Sequence, residues 1–339
     1  EEELDLVFTA TPWRWHVPVC VAAMTSDKHA ATEVPAAVTI EECWQLVETA
    51  ERTKKHCVMM ENVNYGRIEM MVFNMARRGL FGELLHGECG YLHDLRGVKF
   101  EHANEGLWRR AHSIARNGNL YPTHGLGPIA NCMNINRGDQ FDYLVSMSSN
   151  SRGLQLYAAD HFPADAVERQ EQYALGDVNT SLIHTVNGRT IFLSHDTNLP
   201  RPYSRINLVQ GTKGIFQGYP NRVYLEGRSA QHQWDTTDRY LEEFDHPLWV
   251  VYSSGTTGLP KAIVHGHGGI ILELHKMLGL QCNLRPDARM FFYTTSGWIM
   301  WNILTASLLV GASPVIYDGH PGAPEVDVLW RIAAETKAT

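Results

Sequence analysis

A chain of 339 residues with 44% hydrophobic and 19% charged residues has room for two or three globular domains. Its 37 acidic against 29 basic residues, a net charge of -8, argue against the clustered basic surface that nucleic acid or an anionic membrane requires. The six dispersed cysteines (Cys20, Cys43, Cys57, Cys89, Cys132 and Cys282) contain no Cys-x-x-Cys pair and suggest neither zinc nor a disulfide framework, and the longest apolar run, around 299 to 310, is too short for a membrane span and reads as a core helix. No signal peptide opens the chain as it stands, so a cytoplasmic location is expected unless a leader precedes residue 1.

In chain order, residues 4 to 10 read as an apolar strand ending in the polar loop Thr11 to His16, residues 17 to 27 as a helix and His29 to Glu33 as a short strand. Thr39 and Glu42 form a capping box that opens a helix through about Lys54, and Cys57 to Glu61 reads as a further buried strand. Strands alternating with helices imply a parallel sheet with ligands at the carboxyl ends of its strands, which here carry Thr11 to His16, Glu33 to Pro35, and Glu61 with Asn62. The G-x-G-x-x-G turn of a dinucleotide-binding sheet is not found, so residues 1–65 are expected to be the later part of such a domain. From Arg67 a helix with Met70, Met71, Phe73 and Met75 presents a core face. Strands are expected at Leu154 to Tyr157, Thr180 to Thr185, Thr190 to His195, Ser204 to Val209 and Arg222 to Leu225, with Asn187-Gly188 turning a hairpin. Residues 66–243 are thus expected to form an α+β domain with an open, mostly antiparallel sheet.

The stretch Asn117-Gly118-Asn119-Leu120-Tyr121-Pro122-Thr123-His124-Gly125-Leu126-Gly127-Pro128 predicts a tight loop passing into a helix, and by itself it suits a packed turn as well as a catalytic loop. Around it stand Trp13-Arg14-Trp15-His16, Ala31 to Ala37, Tyr91-Leu92-His93-Asp94, Trp108-Arg109 and Pro200-Arg201-Pro202-Tyr203. In this order and spacing, residues 1 to about 249 resemble glycoside hydrolase family 109, the NAD-dependent α-N-acetylgalactosaminidases of the glucose-fructose oxidoreductase type. The resemblance implies oxidation of the sugar at C3, elimination of the aglycone, addition of water and return of the hydride, in place of the paired carboxylates of ordinary glycosidases. It places Tyr91, Arg109, Tyr121, His124 and Tyr203 at the sugar, with Tyr121 and His124 managing protons. Trp13, Arg14, Trp15, His16, Glu33, Val34 and Asn62 would contact NAD, Tyr121 touching both. Without the glycine-rich unit, tight retention of NAD is not expected. Asp94 and Asp160 are the carboxylates open to conventional hydrolysis.

Residues 244–249, Phe-Asp-His-Pro-Leu-Trp, read as a seam. Beyond them a strand at 249–252 runs into Ser253-Ser254-Gly255-Thr256-Thr257-Gly258-Leu259-Pro260-Lys261, a loop whose hydroxyls, backbone N–H groups and lysine suit phosphates but whose spacing is not Walker A. With Val264 to Gly269 and Thr294 to Asn302, residues 244 to 339 resemble acetoacetyl-CoA synthetase of the adenylate-forming superfamily. That implies ATP with magnesium on Ser253, Ser254, Gly255, Thr256, Thr257, Gly258 and Lys261. Leu272, Leu274, Met277 and Leu278 read as core and a strand is expected near Pro314 to Tyr317, while His265 and His267 carry no metal expectation.

The fold class expected is therefore α/β: a truncated dinucleotide-binding parallel sheet, an α+β domain with an open sheet, and a partial adenylation fragment at 250–339. The function expected is NAD-dependent glycoside hydrolysis on an α-linked N-acetylgalactosamine, impaired by truncation. The alternatives are a ligase fragment, or an inactive chimera that self-associates through the open sheet as a homo-oligomer.

Overall fold

The computed structural model describes residues 4–244, 247–252 and 262–338, which divide into two compact units, one through Phe244 and the other from Asp245 onward. In the first unit, β1 (Leu6–Thr9), β2 (His29–Thr32) and β3 (Cys57–Met59) form a parallel sheet in that order. Helices α1 (His16–Thr25) and α2 (Ile40–Thr53) join its strands. Their shared core is Val17, Cys20, Ala23, Met24, Ala30 and Leu46. The predicted capping box starts α2: Glu42 N donates to Thr39 Oγ1 at 3.1 Å, and the Glu42 carboxylate accepts from Thr39 N at 3.2 Å. The strand at 57, expected to be buried, is an edge strand with Val58 half exposed, because among the described residues β3 pairs with β2 alone.

Helix α3 (Arg67–Arg77) leads from this sheet into a second one. Its strands are β4 (Leu84–Leu92), β5 (Phe141–Ser148), β6 (Val178–Thr185), β7 (Thr190–Asp196), β8 (Leu208–Gly211), β9 (Gly214–Gln217), β10 (Arg222–Leu225) and β11 (Asp235–Thr236). They lie in the order β11-β10-β9-β8-β4-β7-β6-β5, antiparallel except for β4 with β7, as the expected open sheet requires. Between them run α4 (Arg96–Lys99), α5 (Gly106–Ala115), α6 (Thr123–Cys132), α7 (Gly153–His161) and, at the end, α8 (Asp238–Phe244). Met71, Val72 and Met75 of α3, Ile129 and Met133 at α6, and Tyr240 of α8 close the core over Cys89, Ile191, Val209 and Phe216. The methionine face is therefore core, as read. On β5 and β6, Phe141, Tyr143, Leu144, Val145, Met147 and Leu182 are exposed.

Two local expectations change and a third holds. Leu154 to Tyr157 is not a strand but the middle of α7: both Arg152 N and Gly153 N donate to the Asp177 carboxylate, at 2.7 and 2.9 Å, and this remote cap opens a helix. Ser204 to Val209 is not a continuous strand, since Ile206 and Asn207 have φ of 63° and 54° and only from Leu208 does the ladder run; Ser204 makes a single bridge to Leu92. At the predicted hairpin, Gly188 takes φ 80° and its N–H closes on Thr185 O at 2.9 Å, joining β6 to β7 as expected.

The second unit pairs β12 (Pro247–Tyr252) with β13 (Ala262–Gly266) antiparallel, continues through α9 (His267–Leu274), and pairs β14 (Arg289–Phe291) in parallel with β15 (Ser313–Val315) across α10 (Ile299–Ala306), ending in α11 (Val328–Thr336). Ile270, Leu274, Leu278 and Ala306 form its core with Met277 against it. Leu272, expected in that core, is 73% exposed, because its position on α9 points away from the Ile270–Leu274 face. The phosphate-loop residues Ser253 to Lys261 lie outside the described residues, as do Asp245 and His246 of the predicted seam. Among the described residues no helix is long and apolar enough to cross a membrane, and no group of His, Cys, Asp and Glu is placed to hold a metal.

Candidate functional site

The site lies within the first unit and begins with backbone constraint. Asn119 Oδ1 accepts from Tyr121 N at 3.0 Å, folding the chain sharply before Pro122 starts α6. Helix α6 then seats directly on β4: a side chain at Gly125 would meet the backbone N and O of Gly90 at 2.5 and 2.7 Å. Only glycine permits that approach, and it brings Tyr121 and His124 to Tyr91 on the same strand.

Around these residues the aromatic rings interlock. Tyr121 lies 4.8 Å from both Tyr91 and His124 and stacks on Trp13 at 5.5 Å, while Tyr91 stands 5.6 Å from His124 and 6.1 Å from Tyr203. The guanidinium carbon of Arg109 sits 5.0, 4.9 and 5.5 Å from the rings of Trp13, Trp108 and Tyr121, and its Nε donates to Glu105 at 2.6 Å. All five expected sugar-site residues, Tyr91, Arg109, Tyr121, His124 and Tyr203, are thus neighbours. Burial raises the pKa of the phenols of Tyr91 and Tyr121 above the usual tyrosine value and that of Tyr203 to about 12. The three tyrosines therefore keep their protons at neutral pH and face the site as hydroxyl donors.

His124 is held differently. Its Nδ1 lies 2.7 Å from Glu61 Oε1, and Glu61, 4% exposed, also accepts from Val63 N at 3.0 Å. In the neutral ring Nδ1–H donates to this carboxylate, which leaves Nε2 as the acceptor. A base oriented by a buried carboxylate is thereby assembled from residues 63 positions apart. Glu61 was read only as a strand-end residue; its place at the carboxyl end of the third strand was the available signal. Asp94, by contrast, is gripped by Arg96 at 2.8 and 2.9 Å, and Asp160 is exposed on α7, so neither is placed for conventional hydrolysis.

On the other flank lies a cavity of about 10 Å³, room for roughly one water molecule, lined by Trp13, Tyr91, Arg109, Tyr121, Lys99, His195 and Thr197 among others. Among the described residues Lys99, 3% exposed, has no ion-pair partner: its Nζ donates to Thr197 Oγ1 at 2.8 Å and Asn198 Oδ1 at 2.6 Å. Burial brings this amine down from 10.5 to about 7, and burial with the nearby Lys99 charge takes His195 down to about 3. His195 Nδ1 is buried with no hydrogen-bond partner among the described residues. Neither residue was legible as functional in the sequence, where each is a single basic residue in an unremarkable run.

The expected cofactor residues occupy the carboxyl ends of the three parallel strands. His16 ties two of those ends together, its Nδ1 2.7 Å from Pro35 O and its Nε2 2.7 Å from Thr11 O. Val34 is buried against Trp13 in the aromatic cluster, and Glu33, half-buried, donates its N–H to Thr9 O at 3.0 Å. Arg14, Trp15 and Asn62 are exposed along the same edge. Polar and aromatic groups thus face the crevice where doubly wound sheets take their ligands. Glu61 Oε2 and Asn64 Oδ1, both buried, have no hydrogen-bond partner among the described residues.

Comparison with known proteins meets this geometry at one point: the family description "Glycosyl hydrolase 109, C-terminal domain" matches residues 65–315. The chain belongs to glycosyl hydrolase family 109. It is 52% identical over 309 residues to a family 109 protein of Shewanella pealeana and 50% identical over 317 residues to an α-N-acetylgalactosaminidase of Shewanella oneidensis. These alignments take in 90% and 91% of this chain but 66% and 67% of the relatives, so the chain spans about two thirds of their length. The family 109 match runs past the Phe244 to Trp249 stretch to residue 315, which corrects the expectation that the likeness ends near 249. Among solved structures, levoglucosan dehydrogenase in complex with NADH and levoglucosan superposes with a TM-score of 0.54 at 19% identity, over 75% of this chain and 66% of that one. An inositol dehydrogenase homolog from Azotobacter vinelandii, complexed with NADH and myo-inositol, gives 0.51 at 18%, over 68% and 56%. The family 109 chain thus shares the Rossmann-type oxidoreductase fold.

Proposed function

We propose that this chain carries the sugar site of an NAD-dependent glycosidase acting on α-linked N-acetylgalactosamine. The observation that carries the reading is His124 Nδ1 on the buried Glu61 carboxylate at 2.7 Å, beside three protonated tyrosines and one arginine. Glycosidases of the ordinary kind need two carboxylates across the scissile bond; here the polar groups are an imidazole, phenols and a guanidinium. NAD, when bound along Trp13 to His16, Glu33, Val34, Asn62 and Tyr121, supplies reversible hydride acceptance at the sugar C3, which makes the neighbouring C2 proton removable.

The remaining work belongs to side chains. His124 takes and returns a proton through Nε2, and Glu61 stabilises the imidazolium while the proton is held. Tyr91, Tyr121 and Tyr203 donate hydroxyl hydrogens to sugar oxygens, and Arg109, fixed by Glu105 and three rings, sets the sugar's orientation. The buried rings of Trp13 and Tyr121 keep water away from the face on which they stack. The test is turnover of an aryl α-N-acetylgalactosaminide with NAD supplied, read beside a thermal melt. Tyr121→Phe and His124→Ala are expected to abolish activity without lowering the melt by more than a few degrees; full turnover by either would remove that residue from the chemistry.

For 250–339 the ligase reading rests on its sequence motifs alone, residues 253–261 lying outside the described residues and the family 109 match running to residue 315. ATP-pyrophosphate exchange with acetoacetate above a Lys261→Ala background would favour it. Self-association through the exposed side chains of β5 and β6 is open to sedimentation analysis.

A further inference from the structure

The amine of Lys99 and the imidazole of His195 come to the same cavity from two different elements. Lys99 closes α4, and its Nζ is gripped by Thr197 and Asn198, the two residues that follow β7. His195 stands on β7 in register with Tyr91 of β4, and register partners on neighbouring strands turn their side chains to the same face of the sheet. Both side chains are buried, and with Tyr91, Tyr121 and Arg109 they line the cavity of about 10 Å³. Such a volume holds one water when two or more polar groups bind it. Lys99 and His195 supply two. His195 Nδ1 lacks a hydrogen-bond partner among the described residues. An uncharged amine has two N–H groups and one lone pair; with both N–H groups given to Thr197 and Asn198, the lone pair of Lys99 is left to accept.

We propose that this cavity binds one water between Lys99 Nζ and His195 Nδ1, and that the bridged pair positions Arg109 and the Tyr91 ring for the sugar. The inference rests on the reading of Tyr91, Arg109 and Tyr121 as sugar-binding groups. The water donates one hydrogen to the amine and the other to the imidazole, so a single molecule satisfies two buried acceptors. A filled cavity also gives the guanidinium and the phenol ring atoms to pack against, where a void would give none. Protonation of Lys99 undoes the arrangement: a third N–H replaces the lone pair, and a second cation stands across the cavity from Arg109. Burial brings this amine from 10.5 down to about 7. The groups that face it are Arg109 of α5 and His195 of β7, which oppose its charge, Asp196 of β7 and Asp177 ahead of β6, which favour it, and the protonated phenols of Tyr91 and Tyr121.

The experiment has two arms. In a crystal structure of the full chain grown near pH 8, at a resolution that shows ordered water, one water is expected within hydrogen-bond reach of both Lys99 Nζ and His195 Nδ1. An empty cavity would overturn the proposal whether or not the chain is active. The second arm follows turnover of an aryl α-N-acetylgalactosaminide with NAD supplied, beside a thermal melt. Near pH 8, Lys99→Met and His195→Leu are expected to raise KM about tenfold and to leave kcat within about threefold, while His195→Asn, whose amide takes the place of Nδ1, keeps KM within about threefold of the parent. The KM gap between parent and Lys99→Met is expected to narrow as pH falls through about 7, because the parent then loses its bridge as well. A gap constant with pH, a fall in kcat alone, or no rescue by asparagine would overturn the positioning role. Should His195→Leu fail to fold, Lys99→Met and its pH series decide the arm. An inactive parent with the water in place would end the glycosidase reading and the positioning role together, and leave the water site standing.

Discussion

Two basic groups, His124 partly buried and Lys99 buried, stand beside the aromatic cluster, and they are held in opposite ways. His124 has a carboxylate at 2.7 Å, whereas Lys99 has only a hydroxyl and an amide oxygen, at 2.8 and 2.6 Å. A carboxylate beside an imidazole lets it accept a proton without stranding a charge. A buried amine given only neutral acceptors is driven the other way, toward its uncharged form, and so is its neighbour His195. One flank is thus built to carry charge and the other to avoid it.

The largest effect that would break this contrast comes from Glu61→Gln. The amide keeps the size but no longer fixes the tautomer or supports the imidazolium, so turnover should fall by about 10² to 10⁴ with little change in melting. Activity within about twofold of the parent would mean that His124 works without its partner. Next comes the pH dependence of stability at Lys99. The folded amine titrates near 7 rather than 10.5, so between these values the unfolded chain binds a proton the folded one lacks, and stability rises with pH across that window. The melting temperature of the parent should therefore gain on that of Lys99→Met between about pH 7 and pH 10; a gap that stays constant would show that Lys99 is charged in the fold. The smallest is Thr197→Val, which removes one acceptor from Lys99 and should cost about 1 kcal/mol in denaturant titration. A cost near that of a full buried ion pair, above about 3 kcal/mol, would show the Lys99 flank to be charged after all.

Elements whose cause is local were legible in the sequence. The Thr39–Glu42 box, the Asn187-Gly188 turn and the Tyr121 to Pro128 loop each carry their own instructions, and each forms where expected. Elements whose cause is remote were not. Strand β4 reads Leu84 to Leu92 with Gly87 and Gly90 inside it, a poor strand by propensity; Gly87 makes sense only once Ile129 of α6 lies on it, and Gly90 only once Ser194 O of β7 lies 2.8 Å from where its side chain would be. Likewise α7 depends on Asp177, more than twenty residues away, for its first-turn donors. The site divides the same way. The ring-bearing residues are visible because they come in clustered motifs, but Glu61 and Lys99 acquire their roles from burial and from partners 63 and 98 positions distant. No periodicity encodes such a pairing.

The seat of Gly125 on Gly90 also bears on how such a site can diversify. Two backbones in direct contact leave no side chain whose trimming or lengthening could retune their separation, so the placement of His124 against Tyr91 is a fixed dimension of the scaffold. Tyr203 and Tyr219, by comparison, sit on connecting segments outside the regular strands. Variation is therefore most readily admitted at positions 203 and 219, with positions 90 and 125 held as glycine, and a library built that way keeps the spacing of His124 and Tyr91 while the surrounding aromatic wall is redrawn.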